Sequence, residues 1–247
     1  MNKDSLGDRM KDYESRFKYK LPRRAYTIIR LDGKAFHNYT KYLDKPFDLN
    51  FVEDMIKTTL YLCKNIQGCK FGYVQSDEIS LLLTDFDDIS TDAWFDGSVQ
   101  KIVSVSASMA TAKFNQLRLD RKINNQYVSL ENFQLANFDS RTWSLSDPWE
   151  VFNTFLWRQQ DATRNSIQMV ARALASHKEC NNKNTNELQE LIFQKGQNYN
   201  DYPIYLKRGT FVYKDEKWLI DRNMPILTQD RDYFFSKLPT IYNKEVK

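Results

Sequence analysis

The order of apolar runs along the first 145 residues is the feature that most restricts the fold of this 247-residue chain. Continuous or alternating apolar runs predict four strands, at 25–31, 71–75, 78–83 and 138–145. Apolar residues at helical spacing predict two helices between them, at 49–66 and 97–115. The resulting order, β-α-β-β-α-β, is the split βαβ pattern of a ferredoxin-like antiparallel sheet. We therefore expect an α+β fold.

The sequence pattern in the second part of the chain predicts mostly helices. Asp147 before Pro148 is typical of an N-cap followed by proline at the first helical position, which opens a long helix or helix pair reaching about residue 176. A short helix at 187–193 and a strand-like run at 204–212 follow. We expect a sheet domain over residues 1–145, with a basic N-terminal segment, and a helical and C-terminal elaboration over 146–247 packed on it.

Composition excludes several classes of protein. None of the seven glycines stands in a G-x-G-x-x-G, Walker or G-x-S-x-G pattern, which argues against Rossmann folds, P-loop NTPases and hydrolase elbows. The sequence contains no run of about 18 apolar residues, so no membrane span is predicted. Three cysteines and a charged start without an apolar signal region favour a reduced, cytoplasmic protein.

The net charge of +4 is carried by residues 1–24, which hold eight basic and four acidic side chains. This segment ends in Arg23 and Arg24, and such a basic segment can follow a nucleic-acid backbone. A solvated helix end is the alternative interpretation. The segment 85–96 carries five Asp and no Lys or Arg, so we expect a solvent loop that a polyanion avoids.

Carboxylates are expected to converge at one end of the sheet. In the split βαβ topology the third strand lies between the first and second and runs antiparallel to the first. Asp32 ends the first strand, and Asp77 and Glu78 begin the third. Such carboxylates suit Mg²⁺, and two metal ions about 4 Å apart can serve phosphoryl or nucleotidyl transfer. The alternative is that Asp32 merely ends a strand and Asp77 makes a turn.

Four segments around these carboxylates resemble signatures of the tRNA(His) guanylyltransferase family. Residues 30–37 (RLDGKAFH) are similar to R-x-D-G-x-x-F-H, and residues 75–80 (QSDEIS) to Q-S-D-E-x-S. Residues 138–141 (FDSR) match F-D-x-R, and residues 157–159 match W-R-Q. The chain is identified as a member of this family, which extends RNA in the 3′-to-5′ direction on a palm-like catalytic domain.

The resemblance implies a set of site residues. Asp32 and Asp77 would hold two Mg²⁺ ions, with the Gly33 carbonyl and Glu78 completing the catalytic metal site. The nucleotide contacts it implies are Lys34, Ala35, Phe36, His37, Lys45, Ser76, Lys101, Arg141 and Lys183. A buried structural histidine is the alternative for His37. Candidate RNA contacts beyond Arg23 and Arg24 are Arg158, Arg164 and Asn165, for which a polar helix face is the alternative.

Residues 161–167 (DATRNSI) depart from the H-I-N-N-L-Y-N element that follows W-R-Q in the full guanylyltransferases. The chain in this respect looks like the guanylyltransferase-like branch, which repairs truncated tRNA 5′ ends by templated addition. ATP, GTP and other NTPs would be substrates, tRNA with a 5′-truncated acceptor stem the partner, and a homo-oligomer (dimer or tetramer) the assembly. The alternatives are untemplated addition of G at position −1, a nucleotide cyclase on the same sheet, and a non-catalytic RNA-binding module.

Overall fold

The computed structural model describes residues 5–124 and 134–240. Six strands form one antiparallel sheet in the order β4-β1-β3-β2-β5-β6. Their bounds are β1 (Tyr26–Gly33), β2 (Cys69–Gln75), β3 (Glu78–Leu83), β4 (Phe138–Leu145), β5 (Thr210–Lys214) and β6 (Trp218–Asp221). The first four strands have the predicted ferredoxin-like order, with β3 between β1 and β2. The expected α+β fold is confirmed.

Nine α-helices lie within the described ranges. They are α1 (Leu6–Ser15), α2 (Phe36–Tyr39), α3 (Leu49–Asn65), α4 (Val99–Asn124), α5 (Pro148–Leu174), α6 (His177–Cys180), α7 (Thr185–Gln194), α8 (Ile204–Arg208) and α9 (Arg231–Phe235). None of them is both long and apolar enough to span a membrane.

The two faces of the sheet are covered by different helices. Ile29 and Leu31 of β1 belong to the core that α3 and α4 complete. Tyr26 and Ile28 belong to the core that α5 completes on the other face. Because successive strand residues point to opposite faces, Arg30 and the next alternate residue, Asp32, lie on the α5 face. The pleat thus brings the first carboxylate of the site to the side that α5 covers.

The C-terminal part of the chain contributes strands as well as helices. The predicted strand at 204–212 is wrong in its first half, because Ile204–Arg208 is helical and β5 begins only at Thr210. Pro203 precedes the helix and Gly209 ends it at φ 83°, so the apolar run is divided between two elements. β5 pairs with β2, and the sheet therefore continues beyond residue 145.

The long helix α5 is one continuous element. It covers 27 residues, and the Asp147 carboxylate caps its start by accepting a hydrogen bond from the Trp149 backbone N–H at 2.7 Å. This confirms the predicted N-cap. The helix starts where β4 ends, so it runs back across the sheet toward the end that carries Asp32.

Candidate active site

The structure brings the three predicted carboxylates to one end of the sheet. Asp32 is the cross-strand partner of Glu78 in the β1–β3 pair and of Asp139 in the β1–β4 pair. The Gly33 N–H donates a hydrogen bond to the Asp77 carbonyl at 3.1 Å. Residues 45 positions apart in the sequence are thus neighbours in space, as the strand order predicts.

Asp77 is the second residue of the tight turn between β2 and β3. Ser76 occupies this turn at φ 48° and is exposed. Burial raises the pKa of the Asp77 carboxyl, and the negative charge of Asp32 raises it further. Two carboxylates that repel one another in a partly buried site favour a divalent cation between them.

The donor set fits Mg²⁺ bound together with a substrate. In the described part of the chain, no three His, Cys, Asp or Glu side chains are grouped to hold a metal ion by themselves. Mg²⁺, however, commonly takes one or two carboxylates and completes its shell with water and substrate phosphates. The Asp32 and Asp77 carboxylates and the Gly33 carbonyl offer such a set.

Glu78 has a partner that the sequence did not reveal. Its Oε2 accepts a hydrogen bond from Arg158 Nη1 at 2.7 Å, and both side chains are buried. Burial raises the pKa of the Glu78 carboxyl, whereas the Arg158 charge opposes that rise. Arg158 also lies 3.4 Å from Asp161. A guanidinium held inside the protein in this way is not free to contact RNA, so the RNA role expected for Arg158 is corrected to an internal one.

The segment 34–38, which follows β1 and includes most of α2, is exposed apart from Phe36. Lys34, Ala35 and His37 are exposed, which removes the buried structural interpretation of His37. The Phe36 ring is buried against Phe138 and other core aromatics, so its side chain is a core contact instead of the expected nucleotide contact. A Cβ on Gly33 would lie 2.4 Å from this ring. The close approach explains why glycine stands between the carboxylate and the loop.

Arg141 and the two lysines at 101 and 183 lie in different places. Arg141 on β4 is exposed, is the cross-strand partner of Arg30, and lies 3.3 Å from Asp139. Lys101 is in the first turn of α4, 5.9 Å from the Phe95 ring, at the end of the sheet opposite to Asp32. Lys183 lines a separate polar pocket of about 500 Å³ with Arg172 and His177. The structure therefore brings Arg141, but not Lys101, to the carboxylates.

The two arginines expected to contact RNA are bound to the acidic segment. Arg23 Nε donates to Asp85 Oδ2 at 2.7 Å. The Arg24 guanidinium donates to the carbonyls of Asp88 and Ile89. Only the Arg23 guanidinium is thus paired with a carboxylate, whereas that of Arg24 bonds to backbone oxygens. Both arginines anchor the acidic segment and remain exposed, so their contact with RNA stays a prediction.

An apolar pocket beside Ser76 was missed by the sequence analysis. It lies between α3, α5 and the end of β2. The lining includes Gln75, Ser76, Asp48, Asn165 and an apolar group made of Phe47, Phe51, Val52, Met55 and Met169. The apolar periodicity of α3 was interpreted as core alone. Lys45 precedes this pocket in sequence, is exposed, and donates to the Thr40 carbonyl at 2.9 Å.

Two of the expected RNA contacts lie on the outer side of α5. Arg164 is exposed and donates to Asp161 Oδ1 at 2.7 Å. Asn165 is exposed, lines the apolar pocket and donates to Asp161 Oδ2 at 3.3 Å. Asp161 thus orients Arg158, Arg164 and Asn165 together.

A split βαβ sheet with paired carboxylates at the strand ends, beside an apolar pocket, is the arrangement of a palm-type nucleotidyltransferase. The profile of the family described as tRNAHis guanylyltransferase matches residues 7–146. The chain belongs to this family and is a nucleotidyltransferase.

The chain is also similar to individual proteins. The chain is similar to a bacterial tRNA(His) guanylyltransferase-like protein solved in complex with ATP, with 44% identity and a TM-score of 0.88 over 96% of this chain and 100% of that one. A bacterial structure of the same description in complex with GTP gives 42% identity and a TM-score of 0.80, over 97% and 100%. An uncharacterized protein of Acanthamoeba polyphaga mimivirus is 30% identical over 85% of this chain and 77% of its own length.

Proposed function

We propose that the protein is a template-dependent 3′-to-5′ nucleotidyltransferase that adds nucleotides to the 5′ end of a tRNA with a truncated acceptor stem. The observation that carries the proposal is the carboxylate pair of Asp32 and Asp77 directly beside the apolar pocket at Ser76. The departure of residues 161–167 from the H-I-N-N-L-Y-N element supports the repair reaction over addition of a fixed G.

The reaction has two chemical steps. The 5′-phosphate of the RNA attacks the α-phosphorus of ATP, an adenylylated 5′ end forms, and pyrophosphate leaves. The 3′-hydroxyl of an incoming NTP then attacks the activated 5′-phosphorus, the new phosphodiester forms, and AMP leaves. A 5′-triphosphate end needs no adenylylation, because attack of the 3′-hydroxyl on its α-phosphorus expels pyrophosphate. Pairing of the NTP with the opposite strand of the acceptor stem selects the base.

The residues of the site divide this work. Asp32, Asp77 and the Gly33 carbonyl would hold Mg²⁺, with Glu78 completing the predicted set. Bound metal ions would lower the pKa of the attacking hydroxyl and neutralise charge on the leaving group. The apolar pocket would take the base of the activating nucleotide. Two similar bacterial structures were solved in complex with ATP and with GTP.

Polar and basic side chains would orient the phosphates. Ser76 lines the pocket. Lys34, His37, Lys45 and Arg141 are exposed, the first two just after β1 and Arg141 on β4. Lys and Arg bind phosphate oxygens through charge-assisted hydrogen bonds. They would replace the glycine-rich loop that this sequence lacks.

The test is incubation with a 5′-³²P-labelled tRNA lacking its first nucleotide, with ATP and all four NTPs. Templated repair adds the base complementary to the opposite nucleotide, and changing that nucleotide changes the added base. Addition of G regardless of the opposite nucleotide would refute templated repair in favour of guanylyltransferase activity. A cyclic nucleotide formed without RNA would identify a cyclase.

A further inference from the structure

Trp157 is a large exposed side chain next to the candidate active site. It stands on α5, and 48% of its surface is exposed. Arg30 Cζ lies 5.6 Å from the centroid of its ring, so the indole lies above β1. Arg30 and Asp32 are on the same face of that strand and two residues apart, which places them about 7 Å from each other along the strand. Trp157 therefore lies on the same face of β1 as Asp32.

The Trp157 ring is held by a fixed cation. Arg158 Cζ lies only 3.6 Å from the ring centroid. Arg158 is itself held by Glu78 and Asp161, so its guanidinium plane is not free to swing away. A cation stacked against an indole stabilises the contact and orients the ring. An aromatic surface prepared in this way binds a flat ligand with little loss of side-chain entropy.

Some buried polar atoms near this ring, among the residues that the structure describes, have no hydrogen-bond partner. Among the described residues, the buried side-chain nitrogens and oxygens that lack a hydrogen-bond partner are Arg30 Nε, Arg158 Nε and Glu78 Oε1. All three belong to the side chains that surround Trp157 or hold it. Buried polar atoms are ordinarily paired, so this is where a polar ligand or water would gain most.

The chemistry of the surface fits the end of an RNA helix. Arg141 is exposed on β4, opposite Arg30, so cations flank the ring on the side of the edge strand. Proteins bind RNA ends by stacking bases on aromatic rings while arginines contact phosphates. The apolar pocket that would bind the activating nucleotide is lined by Asn165, eight residues further along α5, and leaves Trp157 free.

We propose that Trp157 is the stacking surface for the 5′-terminal base of the RNA substrate, and that it holds the 5′-phosphate over Asp32 and Asp77. The proposal rests on the proposed function, since it needs an RNA end as the second substrate. Trp157 would set the position of the RNA, whereas the pocket at Ser76 would set the position of ATP.

The direct test uses an RNA hairpin whose 5′-terminal base is 2-aminopurine, without ATP so that no reaction occurs. Stacking of this base on an indole quenches its fluorescence. Wild-type protein should quench it on binding, and Trp157→Leu should not. Trp157→Tyr should restore most of the quenching, because it restores an aromatic surface. Trp149→Leu is the matched control, since Trp149 is 50% exposed on the same helix but packs on Phe235.

Kinetics provide the second readout. Trp157→Leu should raise the KM for RNA by about 10- to 100-fold, the range expected for one stacked base, and leave the KM for ATP unchanged. Equal melting temperatures of the Leu and Tyr variants would show that folding is not the cause. Should the Leu variant fail to fold, Trp157→Phe is compared with wild type, and a smaller rise in the RNA KM is expected.

Two results would overturn the inference while leaving the proposed function intact. One is wild-type quenching and wild-type RNA KM in Trp157→Leu. The other is a rise in the KM for ATP alone, which would assign the ring to the nucleotide. A wild-type protein that neither binds the hairpin nor adds nucleotides to truncated tRNA would instead overturn the proposed function, and the stacking role with it.

Discussion

Glu78 at the start of β3 and Arg158 in the middle of α5 are joined by a hydrogen-bonded ion pair of 2.7 Å, although 80 positions separate them in the chain. Both side chains are at most 10% exposed. A buried ion pair is tolerated only while both partners are present, because removing one leaves the other as an uncompensated charge shielded from water. This pair connects the sheet end that carries the carboxylates to the helix that carries Trp157.

Removing one partner of this pair should therefore cost more than removing both. We expect Arg158→Met to lower the free energy of unfolding by about 3–5 kcal/mol, measured by urea denaturation. The double variant Glu78→Gln with Arg158→Met should recover part of that loss. Arg16→Met breaks an exposed pair with Asp12 and should leave the midpoint almost unchanged. Strictly additive single effects would show that the two side chains are not coupled.

The proposed metal site predicts the effect of isosteric amides. Asp32→Asn and Asp77→Asn should each reduce nucleotide addition by at least about 10³-fold, because metal binding contributes several kcal/mol of transition-state stabilisation. Filter binding of tRNA and the melting temperature should change little. Asp215→Asn, in the turn between β5 and β6, is the control. Full Mg²⁺-dependent turnover in either variant would contradict the assignment.

Gly209 and Gly196 differ in the room that each leaves for a Cβ, and Gly209 also has ψ −176°, in a region essentially restricted to glycine. Both have positive φ, 83° and 84°. A Cβ on Gly209 would lie 2.6 Å from the Val74 carbonyl oxygen, whereas one on Gly196 would have nothing within 4 Å. Gly196→Ala should cost about 1 kcal/mol from backbone strain. Gly209→Ala should cost about 1–3 kcal/mol more, since β2 must move. Equal free energies of unfolding for the Gly196→Ala and Gly209→Ala variants would mean that β2 shifts at no measurable cost.

Asp54 of α3 binds two arginines of α4, the neighbouring helix on the other face of the sheet. Its carboxylate, 1% exposed, accepts hydrogen bonds from Arg121 Nε at 2.7 Å and Arg118 Nη1 at 3.2 Å. We expect Asp54→Ala to destabilise the protein by about 1.5–3 kcal/mol, the range for hydrogen bonds to charged groups. Calorimetric melting measures this. Asp44→Ala, at an exposed position before α3, should leave the melting temperature unchanged.

RNA affinity should fall steeply with salt, since the substrate is a polyanion. Arg141→Gln should reduce the slope of log K against log salt by about one unit if Arg141 contacts a phosphate. Arg24→Gln should leave that slope unchanged, because the Arg24 guanidinium is engaged by the 88–89 carbonyls. If Arg24→Gln does change the slope, Arg24 contacts RNA, as its charge suggests. Filter binding between 50 and 300 mM salt measures both.

Strand order and the meeting of Asp32 with Asp77 were predictable, because they follow from periodicity and from topology rules that act over short segments. The partner of Glu78 was not, since Arg158 reaches it only through the way α5 crosses the sheet. Arg23 and Arg24 show the same limit. Both guanidinium groups bond to an acidic loop about 60 residues later, Arg23 through the Asp85 carboxylate and Arg24 through backbone carbonyls. Composition does not reveal such distant contacts.

The 27 residues of α5 span about 40 Å. Because a helix is rigid, it fixes the distance between the side chains that it carries. Trp157 and Asn165 are eight residues apart, about 12 Å along the axis. If one receives the RNA end and the other borders the nucleotide, the gap between the two substrates is set by helical rise alone. Surrounding loops can then change in length among relatives without altering which phosphorus is brought to which oxygen.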